Sequence, residues 1–251
     1  MLQIINIKLK VKQNTLLNYD YNYALACEIY KKIRLIDNEF GIGFHNNGLR
    51  KNKSEKPFKL MTMMLQFNNA IMDKEGIILN ANDKVNLEIR GTKQVLNKIL
   101  NGFMSDNSIN IDGNIFEFER TEIKAIPNFK NTNLYKVESI LIETLLDNNK
   151  KSIYLDAFNP RYVQTIKQNL KNKYKLIYNK EYTGELKIGI EDFMQIKTKS
   201  IKVKNHNIIG SGKFNIIIQA DRDIQKVAYC CGLGTHNTYG AGFLKYITGG
   251  N

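Results

Sequence analysis

Residues 3–11, with the sequence QIINIKLKV, alternate apolar and polar side chains, and residues 24–36, ALACEIYKKIRLI, carry apolar side chains at helical spacing. Alternation with a period of two predicts a half-buried strand, whereas a period near 3.6 predicts an amphipathic helix. The glycines at positions 41 and 43 predict that the helix does not continue beyond them. We expect a polar and basic loop over residues 45–55.

The same patterns continue to residue 126 and complete the order β–α–β–β–α–β. The other predicted elements of this half are one or two strands over 76–90, single strands over 58–67 and 109–126, and a helix over 92–103. This order is that of a ferredoxin-like, or RRM-like, domain, in which two helices cover one face of a four-stranded sheet. We therefore predict an N-terminal domain over residues 1–126, with the opposite face of its sheet free to bind.

A short polar segment over residues 127–133 predicts a linker, after which the same order begins again. The predicted elements are strands over 137–146, 186–190, 194–203, 214–219 and 243–247, and helices over 160–174 and 221–231. In the first of these helices we expect Lys173 to point outward with the other lysines. The sequence thus predicts an α+β protein of two tandem ferredoxin-like βαββαβ domains, the second over residues 134–251 with a C-terminal glycine-rich loop.

The 251 residues carry 37 Lys and Arg against 24 Asp and Glu, a formal net charge of +13. Such a surplus attracts polyanions such as nucleic acid, anionic membranes or phosphorylated ligands. The plainer interpretation is that the lysines only maintain solubility. Only six of the basic residues are Arg, and bidentate reading of guanine edges depends on Arg. The charge therefore favours contact with a nucleic-acid backbone over reading of duplex sequence.

The three cysteines are odd in number and form no C-x-x-C pair, which is typical of a reducing compartment. The first residues lack the continuous apolar segment of a signal peptide, and no run of about 18 apolar residues predicts a membrane span. We expect a cytoplasmic protein with no membrane partner.

Two kinds of cofactor site are disfavoured by spacing. Residues 210–213, GSGK, are similar to a phosphate-binding loop, but Asn207 stands at the first glycine position and Phe214 follows the lysine. The histidines, at positions 45, 206 and 236, lie far apart with no carboxylate or thiolate at ligand spacing. We therefore expect no metal site and no cofactor.

Four glycines in eleven residues mark the segment GLGTHNTYGAGFLKYI, residues 232–247. Glycine allows positive φ and close approach of another chain, and successive backbone N–H groups can cradle a phosphate. His236, Asn237 and Tyr239 add donors and a stacking surface. The segment is either such a binding loop or a glycine-rich hairpin without a ligand.

His45 is followed by a basic segment containing Arg50, Lys51, Lys53, Lys56 and Lys59. Imidazole exchanges protons near neutral pH, a lysine can stabilise charge on a pentacoordinate phosphorus, and the tyrosine of the preceding helix can position a hydroxyl. The grouping is suited to RNA backbone cleavage, and it is equally the pattern of a surface histidine beside a solvated basic loop.

The glycine-rich segment resembles the terminal loop of the CRISPR-associated repeat-RNA endoribonucleases, the Cas-six family. Gly232, Gly234, Gly240 and Gly242 match its glycines, while Ala241 replaces the usual aromatic residue. Two further segments are similar to family motifs: residues 169–174, NLKNKY, to N-L-x-x-K-Y, and residues 137–140, VESI, to V-x-S-P with isoleucine in place of proline.

The resemblance implies a metal-independent ribonuclease of CRISPR precursor transcripts, acting in antiviral defence. In such enzymes a 2′-hydroxyl attacks the adjacent phosphate and leaves a 5′-hydroxyl and a 2′,3′-cyclic or 3′-phosphate. It implies catalytic roles for His45, Tyr30 and Lys59, with Lys56 as the substitute lysine. Predicted RNA contacts are Lys51, Lys53, Lys56, Gly232, Gly234, His236, Asn237, Gly240 and Gly242.

The expected partner is CRISPR repeat RNA, and the sequence leaves open association with CRISPR effector subunits and dimerisation. The alternative function is a non-catalytic RNA-binding subunit of a CRISPR effector complex, since related subunits share the fold. A third interpretation, an RRM-like RNA binder outside CRISPR systems, is weakened because isoleucine and leucine, not aromatic residues, dominate the strands.

Overall fold

The computed structural model describes residues 1–50, 57–146 and 152–247. Its first half contains eight strands and three helices. These are β1 (Leu2–Val11), β2 (Thr15–Leu17), α1 (Asn22–Ile36), α2 (Asn38–Asn47), β3 (Met61–Phe67), β4 (Ile71–Met72), β5 (Ile77–Leu79), β6 (Lys84–Thr92), α3 (Lys93–Ser105), β7 (Ser108–Ile111) and β8 (Asn114–Lys124). Strands β3–β6–β1–β8–β7 form an antiparallel sheet in that order, and the short strands β2–β5–β4 form a second one.

The first half has the order of a ferredoxin-like domain, with β7 added as an edge hairpin. The alternation predicted for β1 is present, since Ile5, Ile7 and Leu9 are fully buried beneath the helices. Helices α1 and α3 pack on this face through apolar stripes that include Ile29 and Ile99. The order of elements predicted for this half is therefore observed, except that the single strand predicted over 109–126 is divided by a turn into β7 and β8.

The second half contains the remaining strands and helices. These are β9 (Thr132–Val137), β10 (Glu143–Leu146), β11 (Ser152–Leu155), α4 (Tyr162–Tyr178), β12 (Lys187–Ile190), β13 (Thr198–Val203), β14 (His206–Ser211), β15 (Phe214–Gln219), α5 (Arg222–Cys231) and β16 (Leu244–Ile247), with 3-10 turns at Phe193–Gln195 and Asn237–Tyr239. Strands β12–β15–β9–β16 form a second antiparallel sheet of ferredoxin-like order, while β10–β11 and β13–β14 are separate hairpins.

In the second half, the bounds of three predicted segments differ from those observed. Residues 137–146 do not form one strand: β9 ends at Val137, and β10 begins at Glu143 in a separate hairpin. The strand predicted over 194–203 is confined to β13 and lies outside the main sheet. The predicted linker is shorter than expected, because β9 already begins at Thr132.

The expectation that one face of the first sheet is free is wrong over the part that faces the second half. Helix α5 contacts strands β1, β3 and β6, and Ile4 of β1 packs into the core built around Val227 and Tyr229 of α5. This helix thus lies between the two halves and fixes where their loops meet. No helix among the described residues is long and apolar enough to cross a membrane.

Candidate active site

A cleft of about 320 Å³ opens where α1 and α2 of the first half face the glycine-rich segment of the second half. Its lining residues are Tyr30, His45, Pro57, Phe58, Lys59, Thr144, Ser152, Tyr154, Gly234, Thr235, His236, Asn237, Thr238 and Tyr239. The structure thus places the sequence-predicted residues Tyr30, His45 and Lys59 in one cleft with His236 and Asn237. The predicted RNA contacts Lys51, Lys53 and Lys56 lie outside the described residues.

His45 lies in the last turn of helix α2. The sequence predicted a glycine-rich turn and a loop at this place, and that prediction is wrong. Asp37 ends α1 and caps α2, because its carboxylate accepts a hydrogen bond from the Phe40 amide at 2.9 Å. A Cβ at Gly41 would overlap with the side chain of Arg34, so glycine here allows α2 to fold back against α1. The exposed imidazole of His45 is therefore held beside α1, with its Nδ1 2.8 Å from Asn46 Oδ1.

Tyr30 supports the imidazole from α1. The two rings meet edge to face, with centroids 4.8 Å apart and an interplanar angle of 88°. Burial raises the pKa of the Tyr30 hydroxyl well above its ordinary value, although a hydrogen bond with the Thr238 side chain acts in the opposite direction. The hydroxyl therefore stays protonated at neutral pH and can donate a hydrogen bond, and it lies in the same cleft as Thr238 of the glycine-rich segment.

Lys59 lies two residues before β3, and its side chain reaches the C-terminal end of α2. Its ammonium donates hydrogen bonds to the carbonyl oxygens of Phe44 and His45, a favourable position for a cation at a helix C-terminus. Its Nζ also lies 6.0 Å from the centroid of the Tyr30 ring. Burial lowers the pKa of Lys59 to about 8. Lys59 thus orders the turn that carries His45 and brings a titratable cation into the cleft.

The glycine-rich segment is organised around a buried lysine. The side chain of Lys173, on α4, is 1% exposed, and its ammonium donates to the carbonyl oxygens of Gly232 and Gly234 at 2.7 and 2.8 Å. It also donates to Asn237 Oδ1 at 2.7 Å. The prediction that Lys173 points outward is therefore wrong. This lysine belongs to the N-L-x-x-K-Y segment, whose observed role is to hold the loop.

Asn237 continues this network across the loop. Its amide nitrogen donates to the carbonyl oxygens of Leu233 and Ala241 at 2.7 and 2.9 Å. A Cβ at Gly242 would overlap with the Leu233 carbonyl oxygen, and φ is +67° at that glycine. Close backbone packing within the loop therefore explains the glycine at position 242. The RNA contacts of Gly232, Gly234, Gly240 and Gly242 stay a prediction.

His236 faces the cleft opposite His45. Its Nδ1 lies 3.0 Å from Thr235 Oγ1, and its ring centroid lies 6.3 Å from that of Tyr154 and 6.1 Å from that of Tyr239. Tyr154 and Thr238 were not identified from the sequence. Thr238 stood inside the quoted glycine-rich segment, whereas nothing in the sequence placed Tyr154 of β11 near it.

Arg90 connects the two halves behind the cleft. Its guanidinium lies between the rings of Tyr229 and Phe243, with Cζ 3.7 and 3.9 Å from their centroids. It donates to the carbonyl oxygens of Tyr229 at 3.2 Å and Leu244 at 2.6 Å. Sequence reasoning missed this residue, because an arginine in a strand carries no signal of an interface.

Glu88 completes this buried charge network. Its carboxylate accepts from Arg90 Nε at 2.6 Å and from Lys124 Nζ at 3.0 Å. Burial alone raises the pKa of Glu88, but the charges of Arg90 and Lys124 and their hydrogen bonds lower it further, so the net shift is downward. The pair stays ionised at neutral pH and fixes the relation between the first sheet and α5.

Comparison with known proteins identifies relatives of the whole chain. Residues 137–246 match the family model described as CRISPR associated protein Cas6, C-terminal. The chain is 25% identical over 248 residues to a Methanocaldococcus jannaschii protein named CRISPR-associated endoribonuclease Cas6 1, covering 97% of this chain and 92% of that protein.

Solved structures show the same fold. A structure titled CRISPR associated protein Cas6 superimposes with a TM-score of 0.77 at 23% identity, covering 99% of this chain and 100% of the other. A Cas6-related protein of Pyrococcus furiosus gives 0.80 at 18% identity, covering 98% and 99% of the two chains. A structure described as a RAMP protein binding different RNA substrates gives 0.82 at 17% identity, covering 98% and 100%.

Proposed function

We propose that this chain, which belongs to the Cas6 family of CRISPR-associated proteins, is an endoribonuclease that binds CRISPR repeat RNA and cuts precursor transcripts into guide RNAs. The observation that carries the proposal is the convergence of Tyr30, His45 and Lys59 in one cleft, opposite the glycine-rich loop. A histidine can transfer protons, and a neutral hydroxyl and a cation can stabilise developing negative charge, during cleavage of a ribose-phosphate backbone. The named activity of the archaeal relative supports the same assignment.

In the proposed mechanism the RNA supplies its own nucleophile. The 2′-oxygen forms a bond to the adjacent phosphorus while the bond to the 5′-oxygen breaks. The 2′-hydroxyl proton is lost, the leaving 5′-oxygen gains a proton, and the products are a 5′-hydroxyl and a 2′,3′-cyclic phosphate. His45 transfers one of these protons, since its exposed imidazole faces the cleft.

Tyr30 and Lys59 act on the phosphate and on the orientation of the imidazole. The edge-to-face contact with Tyr30 restricts the ring of His45. Among the described residues, the Lys59 ammonium has two hydrogen-bond acceptors, so its third N–H is available to a phosphate oxygen. A cation at that place stabilises the additional negative charge of the pentacoordinate transition state.

The glycine-rich loop forms the opposite wall and would contact the RNA backbone and bases through the half-buried side chains of His236 and Tyr239. The net charge of +13 would contribute an affinity that falls with salt concentration. The second function left open by the sequence, a non-catalytic RNA-binding subunit, does not require three chemically suited side chains in one cleft. The geometry therefore favours cleavage.

The experiment uses purified protein and the repeat RNA of the CRISPR array nearest to its gene, in the presence of EDTA. We expect one cut per repeat, with a 5′-hydroxyl on the downstream product and a cyclic or 3′-phosphate on the upstream product. Cleavage that requires a divalent metal, or that leaves a 5′-phosphate, would reject the mechanism. Binding without any cleavage would favour the non-catalytic alternative.

A further inference from the structure

A second cleft of about 330 Å³ adjoins the catalytic cleft and shares Phe58 and Thr144 with it. Its other lining residues are Glu143, Leu145, Gln164, Thr165, Gln168, Asn169 and Asn172. Most of these side chains come from α4. The volume of the cleft is within the range of about 300–1,000 Å³ that ligand pockets occupy. RNA bound in the catalytic cleft would therefore pass this second cleft directly.

The second cleft is built of amides. Gln164, Gln168, Asn169 and Asn172 line it together, and Gln168 Nε2 donates to Asn172 Oδ1 at 2.9 Å. Asn169 is only 5% exposed, and its Oδ1 has no hydrogen-bond partner among the described residues. A buried amide oxygen without a partner is costly, so this cleft presents an acceptor that a ligand N–H would satisfy.

The charges of the lining argue against a phosphate ligand. None of the described residues that line the second cleft is Lys or Arg, so this lining supplies no cation for a phosphate group. An uncharged ring with hydrogen-bonding edges fits better, because Phe58 supplies an aromatic surface at the junction of the two clefts.

We propose that the second cleft binds one unpaired base of the RNA, with a preference for adenine, next to the cleavage site. The amide of Asn or Gln pairs with adenine through its amino donor and the neighbouring ring nitrogen. Uracil also has a donor beside an acceptor, but its single ring gives Phe58 a smaller stacking surface than a purine does. The inference rests on the proposed function, because it takes the occupant of the adjacent catalytic cleft to be RNA. Gln168 and Asn169 are then specificity-determining residues.

The test measures equilibrium binding of labelled oligoadenylate, oligouridylate and an oligomer of purine riboside, which keeps the purine ring but lacks the amino group. We expect the unaltered protein to bind oligoadenylate about tenfold more tightly than either of the others. Gln168→Ala, at an exposed position, and Asn169→Leu, which has the same number and branching of heavy atoms but no amide, should bring this ratio close to one. Gln195→Ala, an exposed glutamine outside both clefts, is the matched control and should keep it.

Each outcome separates the base-binding cleft from the proposed function. Equal binding of the three oligomers, or a preference for adenine that both cleft variants retain, would overturn the base-binding proposal even if repeat RNA is cut. A preference that only the cleft variants lose would support it even if no RNA is cut, and the absence of cleavage would then count against the nuclease assignment alone. The melting temperatures of Asn169→Leu and Gln168→Ala are compared with that of the unaltered protein. Similar values exclude a general loss of structure as the cause of weaker binding.

Discussion

The imidazole of His45 packs edge to face against the ring of Tyr30, with centroids 4.8 Å apart. The two residues lie on successive helices, α1 and α2, which join at Asp37 and fold back on each other at Gly41. Because Tyr30 and Thr238 of the glycine-rich segment line the same cleft, this pair places the proton-transfer residue beside the loop of the opposite half. The cleft therefore depends on packing between the halves as well as on its chemical groups.

Tyr30→Phe tests this connection while it keeps the aromatic ring. Loss of the hydroxyl removes one donor near the reacting phosphate, so we expect the single-turnover cleavage rate to fall by about 10- to 100-fold. The melting temperature should change little, since the ring still packs against His45. Tyr19→Phe removes a hydroxyl that bonds the Asp73 carbonyl and does not line the cleft, so this variant should cut at the normal rate. A normal rate in Tyr30→Phe would exclude the hydroxyl from catalysis.

Lys59 predicts a pH dependence of cleavage. Its pKa is lowered to about 8 by burial, so the ammonium is charged below about pH 8 and becomes a neutral amine above it. Transition-state stabilisation by this group is therefore present below that pH and is lost as the pH rises through it. The measurement is the cleavage rate as a function of pH in the unaltered protein, in Lys59→Arg and in Lys59→Met.

The arginine variant separates the effect of Lys59 from other titrations. Guanidinium stays charged throughout this range, so the decline near pH 8 should move out of range in Lys59→Arg. Lys59→Met should cut slowly at every pH without that decline. A decline that stays in place in Lys59→Arg belongs to another group.

Lys173→Met removes the buried ammonium that holds the glycine-rich loop. The carbonyl oxygens of Gly232 and Gly234 and the Asn237 amide oxygen would lose their shared donor. We expect the free energy of unfolding to fall by about 1–3 kcal/mol, and the affinity for repeat RNA to fall with it. Lys171→Met, on the same helix and half-buried, is the control for denaturant unfolding. Equal stabilities of the two variants would contradict the role of Lys173.

Arg90→Leu tests the connection between the two halves. It would leave the Glu88 carboxylate, 5% exposed, without its main partner, and breaking a buried pair costs about 3–5 kcal/mol. Because the pKa of Glu88 is lowered in the folded protein, this pair stabilises the fold above the ordinary pKa of glutamate. That contribution to the free energy of unfolding is lost as the pH falls through the lowered pKa of Glu88.

The measurement for this pair is urea unfolding at neutral and at acidic pH. The gap in stability between Arg90→Leu and the unaltered protein should narrow in acid. Arg120→Leu removes a side chain that is 72% exposed and pairs with Glu122, which is 42% exposed, so its effect on stability should be close to zero. If the difference in stability between Arg90→Leu and the unaltered protein does not depend on pH, the ion pair of Arg90 and Glu88 is not its cause.

The order of strands and helices was predictable because each half shows clear periodicity, as in β1 and α1. Helix α2 was not, since Gly41 and Gly43 are poor helix formers in isolation. The structure favours a helix there because Asp37 caps it and Gly41 lets it pack against Arg34. A tertiary contact overrides the local preference at this point.

The candidate catalytic residues could be named from sequence, but the network that positions them could not. Lys173 stands among surface-type lysines on α4, and only the folded loop shows that its ammonium is surrounded by carbonyl oxygens. Arg90 and Phe243 lie far apart in sequence and meet only across the two halves. Such long-range polar contacts leave no periodic signal in a single sequence.

The most direct measurement is cleavage and binding of repeat RNA by His45→Ala in parallel. If His45 transfers a proton in the cleavage step, the rate should fall by at least about 100-fold, because proton transfer by a positioned side chain contributes about 10²- to 10⁴-fold. The dissociation constant should stay close to that of the unaltered protein. Cleavage by His45→Ala at the normal rate would contradict the account and place the reaction elsewhere in the molecule.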